Sequence, residues 1–285
     1  MDGIVVVDKP AGRTSHDVVA KVRRIAGTRR VGHAGTLDPM ATGVLIIGVN
    51  RATRLLGHLA AHDKTYEATI RLGVTTVSDD ADGEVVSTVA AAHVTDEDIA
   101  AGIAALTGDI EQVPSTVSAI KVGGVRSYAR VRAGEDVALA ARPVTVSAFD
   151  VLARRGDELD VRVSCTTGTY IRALARDLGA SLGVGAHLTS LRRTRSGSFT
   201  VDEARTVDAL EQAFTVVSLA DAVARCFPRV DLDADTTRDL RHGRPIAATG
   251  RTGAVGAFDA ATGDVLALVQ DDGEVAKPLV VFAPA

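Results

Sequence analysis

Tryptophan is absent from this sequence, and aromatic residues make up only 3% of it, so each tyrosine in a patterned segment carries more information than usual. There are two cysteines, Cys165 and Cys226, with neither CxxC nor metal-ligand spacing, which argues against a disulfide scaffold and a zinc site. A reducing cytoplasm is the expected location. The apolar run Val44-Leu45-Ile46-Ile47 is far too short to cross a bilayer. The first residues, Met1-Asp2-Gly3-Ile4-Val5-Val6-Val7-Asp8, read as a strand entering a turn and not as a basic-then-apolar leader. Internal repeats and low-complexity tracts are also missing. So is any excess of positive charge: the formal net charge is −4, which argues against a whole-surface nucleic-acid binder.

What is present is ordinary for a folded chain: 285 residues, 46% hydrophobic and 24% charged. The length suits one large domain plus a small one. The charges are unevenly placed. Lys21, Arg23, Arg24, Arg29 and Arg30 crowd one stretch and Arg192, Arg193 and Arg195 another, while acids gather in Asp79-Asp80-Ala81-Asp82-Gly83-Glu84, Asp96-Glu97-Asp98 and Asp271-Asp272-Gly273-Glu274. A local basic groove on an acidic body still binds phosphates, although each cluster equally fits a solvated face.

Periodicity gives a mixed set of elements. Ser15 fits as the cap of a helix reaching about Ala26, with Val18, Val19, Val22 and Ile25 on one face and Gly27 as its stop. Arg29 to Thr42 reads as a long loop, and the continuously apolar Gly43–Val49 as a strand buried on both faces. Lys64–Leu72 and Leu159–Thr166 alternate as strands. Thr95 with Asp98 forms a capping box for a helix carrying Ile99, Ile103 and Leu106, and Ile171, Leu174, Ala175 and Leu178 make another helix stripe after the Gly168 turn. With no regular βαβ repeat, the expected fold class is α+β, a mixed, mainly antiparallel central sheet flanked by helices. A boundary falls near Cys226-Phe227-Pro228, giving a domain over 1–226 and a small β-rich unit over 227–285 that is too short to be comfortable alone.

The loop Val31-Gly32-His33-Ala34-Gly35-Thr36-Leu37-Asp38-Pro39-Met40-Ala41-Thr42-Gly43-Val44-Leu45 stands out. Pro39 drives Asp38 toward an extended backbone, the glycines admit sharp turns and close approach, and a buried strand follows at once. Taken alone, an Asp-Pro in such a loop fits a turn more readily than a catalyst. The whole string, however, resembles the signature of the bacterial tRNA pseudouridine-55 synthases, the TruB family. The similarity continues in order through Asp8-Lys9-Pro10-Ala11-Gly12-Arg13-Thr14-Ser15, Lys64-Thr65-Tyr66, Ser164-Cys165-Thr166-Thr167-Gly168-Thr169-Tyr170-Ile171-Arg172 and Leu191-Arg192-Arg193-Thr194, spanning most of residues 1–225.

The resemblance implies a role for each matching position. Asp38 falls on the nucleophile, His33 on a histidine that holds the rearranged T loop, and Tyr66 on the tyrosine that stacks against the target base. Tyr170 and Leu191 fall on pocket-lining positions, Arg172 on the arginine that pairs with the catalytic carboxylate, and Lys9 and Pro10 on a structural element. It also implies the pseudouridine synthase fold with a PUA-like RNA-binding domain over 227–285 and tRNA (its T stem-loop) as partner; action as a monomer without guide RNA or membrane is expected, and the span 110–143 reads as an RNA-gripping insertion. Two departures touch RNA contact: Val117 stands where the family usually has an aromatic, and Thr76-Val77-Ser78-Asp79-Asp80 replaces a Thr-Asp-Thr pattern.

These residue types suit the chemistry. Pseudouridine formation breaks an N-glycosidic bond and rejoins the base through carbon without redox change, so neither cofactor nor metal is expected. A carboxylate attacks the anomeric carbon or assists glycal formation, and both routes stay open. An arginine beside it favours the ionised form and orients it. An aromatic face offsets the stacking lost when the uridine leaves its loop. Other classes fit less well. A non-catalytic tRNA-folding factor would have no use for Asp38, Tyr66 and Arg172 together. A hydrolase would need a second carboxylate that the loop lacks, and a guide-dependent relative would be expected to carry a basic extension.

Overall fold

The structure, a computed structural model, describes residues 2–118, 121–122, 124–127, 130, 135 and 137–283. Its fold is α+β with mainly antiparallel strand pairing. The chain forms two compact units, one from Met1–Pro39, Gly43–Ala60 and Gly197–Ala285, the other from Met40–Thr42 and Ala61–Ser196.

In the first unit, strand Gly3–Lys9 pairs antiparallel with Thr42–Val49 from Gly3↔Val49 to Lys9↔Gly43. The apolar run of that second strand is buried on both faces, Leu45 and Ile47 completely. Arg29–Thr42 is not all loop. Val31–Ala34 forms a short strand against Ile46–Val49, because its amides and carbonyls find partners on the exposed edge of a ladder already laid down by the apolar run. The helix Ser15–Ala26 is capped by Thr14, not Ser15: Asp17 N donates to Thr14 Oγ1 and Thr14 N to Asp17 Oδ2, a complete capping box, and Gly27 ends the helix in the left-handed conformation.

Residues 229–281 of the same unit carry a five-stranded sheet, with Arg229–Leu232 parallel to Ala254–Asp259, followed by Val265–Asp272, Val275–Val281 and Ile246–Ala247. The β-rich character expected there is present. Phe258, Leu268 and Phe282 share one core with Ile4, Val6, Ile46, Leu55 and Val223. This sheet therefore buries apolar surface against the strands that lead into the Asp38 loop.

The second unit is an antiparallel ladder in the order Ala186–Ser196, Lys64–Leu72, Glu158–Cys165, Arg142–Arg155 and Gly108–Gln112. The helices Asp96–Ala105 and Ile171–Ser181 fall where the capping box and apolar stripe predict them. Residues 119–120, 123, 128–129, 131–134 and 136, which the sequence places in an insertion, lie outside the described residues. Among the described residues no helix is long and apolar enough to cross a membrane, no acidic, His or Cys group is arranged to hold a metal, and both cysteines are free.

Candidate active site

Asp38 sits half-buried in a loop whose backbone is pinned on both sides of it. On one side Ser15 Oγ, wholly inside, accepts from Leu37 N at 2.9 Å and donates to Leu37 O at 3.1 Å. On the other, Pro39 O accepts from Gly12 N at 2.9 Å and from Lys9 Nζ at 3.1 Å. The fully buried Lys9 ammonium also donates to Pro10 O and Arg13 O, at 2.9 and 2.6 Å, so it ties the turn after the first strand to the residue after Asp38. A buried ammonium is tolerated only with such a set of acceptors. Gly35, φ +82°, makes the bend between Val31–Ala34 and this loop, and Gly43, φ +97°, brings the chain back into the sheet; both angles strain any residue with a Cβ. His33 is paired opposite Ile47 and meets the His16 ring edge-on, with centroids 5.4 Å apart.

The other four predicted site residues belong to the second unit. Tyr66 and Leu191 lie on neighbouring strands, Tyr66 opposite Arg193 and Leu191 opposite Ala68. Side chains directly opposite share a face, so Tyr66 and Leu191 are diagonal neighbours on one face of the sheet. Both are nearly buried. Tyr170 is the residue before the helix Ile171–Ser181 and has no side-chain cap bond of its own. Its backbone is held by Gln112, whose Oε1 accepts from Tyr170 N at 2.8 Å and whose Nε2 donates to Tyr170 O at 3.0 Å.

Arg172, 3% exposed, is a fixed cation. It donates to Ser78 O at 2.7 Å and Val117 O at 2.9 Å and pairs with Asp80 at 3.4 Å, itself buried. Asp80 is set by Ser78 Oγ and Asp82 N. Next to it Asp79, at φ +60°, pairs with Arg176, which also donates to Val113 O. Burial holds the Asp79 carboxyl above its ordinary range, opposed by the neighbouring Arg176 guanidinium. The acid-rich Asp79–Glu84 stretch is thus partly an internal counter-charge for this arginine pair and not only a solvated face.

The basic clusters divide as well. Arg23, Arg24, Arg29 and Arg30 are exposed, whereas Lys21 pairs with Glu211. Arg193 is 1% exposed, Arg195 donates to Thr65 Oγ1 and Arg192 to Thr42 Oγ1, so the second cluster is largely built into the fold. Beside it, burial and Arg193 push the Lys64 ammonium down to about 8. Burial raises the Cys165 thiol to about 11, which makes it a packing residue and not a nucleophile.

Reasoning from sequence misses Ser15 as an anchor, Gln112, Asp80 and Arg142. The signal for Asp80 is an acid run too regular in its turn chemistry for a free surface; Gln112 and Arg142 give none, because their role depends on strand register.

Three family descriptions match in succession: residues 23–171 match the N terminal domain of TruB family pseudouridylate synthase, 172–226 the tRNA pseudouridylate synthase B C-terminal domain, and 227–283 the C terminal of tRNA pseudouridine synthase II. The tRNA pseudouridine synthase B of Nocardia farcinica is 58% identical over 100% of this chain and 94% of its own. That of Thermobifida fusca is 58% identical over 99% of each. Among solved structures, a chain of a Cbf5-Nop10-Gar1 complex superposes with a TM-score of 0.78 at 28% identity, covering 99% of this chain and 85% of its own.

Proposed function

We propose that this chain, which belongs to the TruB family of pseudouridylate synthases, converts the T-loop uridine at position 55 of tRNA to pseudouridine with Asp38 as nucleophile. The observation that carries the assignment is the double anchoring of the Asp38 loop. Leu37 and Pro39 are each held by a buried side chain, so the backbone that carries the intervening carboxylate is anchored while Asp38 stays half-buried. Such preorganisation is what an attacking group needs. A turn residue has no need of a buried ammonium beneath it.

In the proposed reaction the Asp38 carboxylate acts at C1′ of the extruded uridine while the N1–C1′ bond breaks. The freed base turns, C5 forms the new bond to C1′ as the Asp38 carboxylate leaves it, the C5 proton leaves to solvent, and N1 gains a proton. Nothing is oxidised or reduced, and neither metal nor cofactor enters. Tyr66 supplies the stacking face, Tyr170 and Leu191 wall the base, and His33 holds the displaced loop. Arg172 serves as the cationic partner of the carboxylate, a role supported by the rigidity of its own bonds to Asp80, Ser78 O and Val117 O. We further place the enzyme in the cytoplasm, acting as a monomer on the T stem-loop without a guide RNA, with the insertion within 110–143 and the 227–285 domain adding RNA contacts.

Position is tested by incubating an unmodified tRNA transcript with the protein, derivatising pseudouridine with carbodiimide and mapping the reverse-transcription stops. A single stop marking uridine 55 is expected. A stop at another uridine alone would refute the assigned target.

A further inference from the structure

Gln112 and Arg142 stand directly opposite one another in the ladder between Gly108–Gln112 and Arg142–Arg155, and both reach Tyr170. Gln112, 1% exposed, uses its whole amide on the Tyr170 backbone, accepting at 2.8 Å and donating at 3.0 Å. Arg142 lies over the ring of the same residue, with Cζ 4.9 Å from the centroid, and its Nη2 donates to Gly168 O at 3.0 Å in the turn just before. A helix start needs only a cap, which a serine or aspartate would supply. Fixing the ring itself requires something more, and a guanidinium against its face does that. One face of Tyr170 is thereby closed, and stacking by a base is left to the other.

We propose that Gln112 and Arg142 are positioning residues for the isomerisation: from adjacent strands they lock the backbone and ring of Tyr170, so that its open face receives the target uridine. This rests on the assignment of Tyr170 to the uridine pocket.

The test combines single-turnover tritium release from a T-arm RNA labelled at uridine C5, RNA affinity by filter binding, and thermal melting. Arg142→Met should slow release about tenfold, the loss of a partly desolvated cation–π contact, with affinity changed less than about twofold. Arg142→Lys should recover most of the rate, since an ammonium over the ring retains the cation. Gln112→Glu should slow release comparably, because its carboxylate meets the Tyr170 carbonyl. In a Tyr170→Leu background Arg142→Met should have no further effect. Full additivity with Tyr170→Leu, or equal losses for Arg142→Met and Arg142→Lys, would overturn the proposal. Turnover is not the sole readout. With three tyrosines in the chain, fluorotyrosine NMR resolves Tyr170 individually, and Arg142→Met should move that resonance while leaving the other two in place. An unmoved Tyr170 resonance would also overturn the clamp. An inactive wild type would instead strike the functional assignment, leaving the clamp to be decided by the spectrum.

Discussion

Two adjacent hydroxyls show how finely the Asp38 loop depends on single groups. Thr14 caps the Ser15–Ala26 helix, while Ser15 turns inward and bonds both backbone groups of Leu37. Thr14→Ala should lower stability by about 1 kcal/mol in urea melts and leave turnover unchanged. Ser15→Ala leaves a buried N–H and C=O unpaired, at a cost of about 1–3 kcal/mol, and should also lower kcat several-fold with tRNA affinity intact. Equal effects on turnover would mean that the Leu37 anchor does not serve Asp38. Which hydroxyl does which could not be read from the sequence, since both residues are good caps and the deciding partner lies 22 positions away. The Asp38 loop, by contrast, was legible as a unit because glycine, proline and the apolar run after it each leave a local mark.

At the scale of elements, the strands Lys64–Leu72 and Glu158–Cys165 were readable from alternation, and Thr42–Val49 from its unbroken apolar run. Val31–Ala34 was not, because so short a segment acquires its identity only from pairing with Ile46–Val49. The same holds for the link from Asp80 to the start of the Ile171–Ser181 helix, which is tertiary. Asp80→Ala removes the carboxylate from a buried ion pair with Arg172 and should cost about 3–5 kcal/mol in denaturant melts, whereas Arg176→Ala, removing a more exposed pair with Asp79, should cost far less. Comparable losses would show that Arg172 does not depend on Asp80.

The end of the Lys64–Leu72 strand adds a pH signature. Because the Lys64 pKa falls from 10.5 to about 8 on folding, the unfolded chain binds more protons between those values, and stability rises with pH across that window. Cys165 works the other way between 9 and about 11, so the Lys64 contribution is isolated by comparison with Lys64→Met. Wild type should gain about 1–3 kcal/mol relative to that variant from pH 7.5 to 10. A constant difference would refute the burial of a charged ammonium there.

At the scale of the molecule, the C-terminal sheet belongs to the first unit and shares its core. Phe258, Leu268 and Phe282 lie in the same core as Ala34 and Ile46, so the strands on either side of the Asp38 loop rest partly on residues more than 200 positions away. Phe282→Ala should cost about 3–5 kcal/mol and reduce the active fraction at 37 °C, read by melting and by release assays together. Full activity from a chain ended after Cys226 would contradict this. The modest size and β pattern of that segment were visible in the sequence, but the sharing of one core was not, because alternation shows which residues face inward and not what they face. Net charge was similarly uninformative: a formal −4 conceals exposed Arg23, Arg24, Arg29 and Arg30 beside arginines buried as structure.

The measurement that bears most directly on the central claim is tritium release from a tRNA transcript labelled at uridine C5, comparing wild type with Asp38→Asn at matched tRNA affinity. Stoichiometric release by wild type, reduced at least about a thousandfold in Asp38→Asn while binding is preserved, is the predicted result for a nucleophile that only the carboxylate can supply. Release by Asp38→Asn at the wild-type rate, or none from folded wild type, would contradict it.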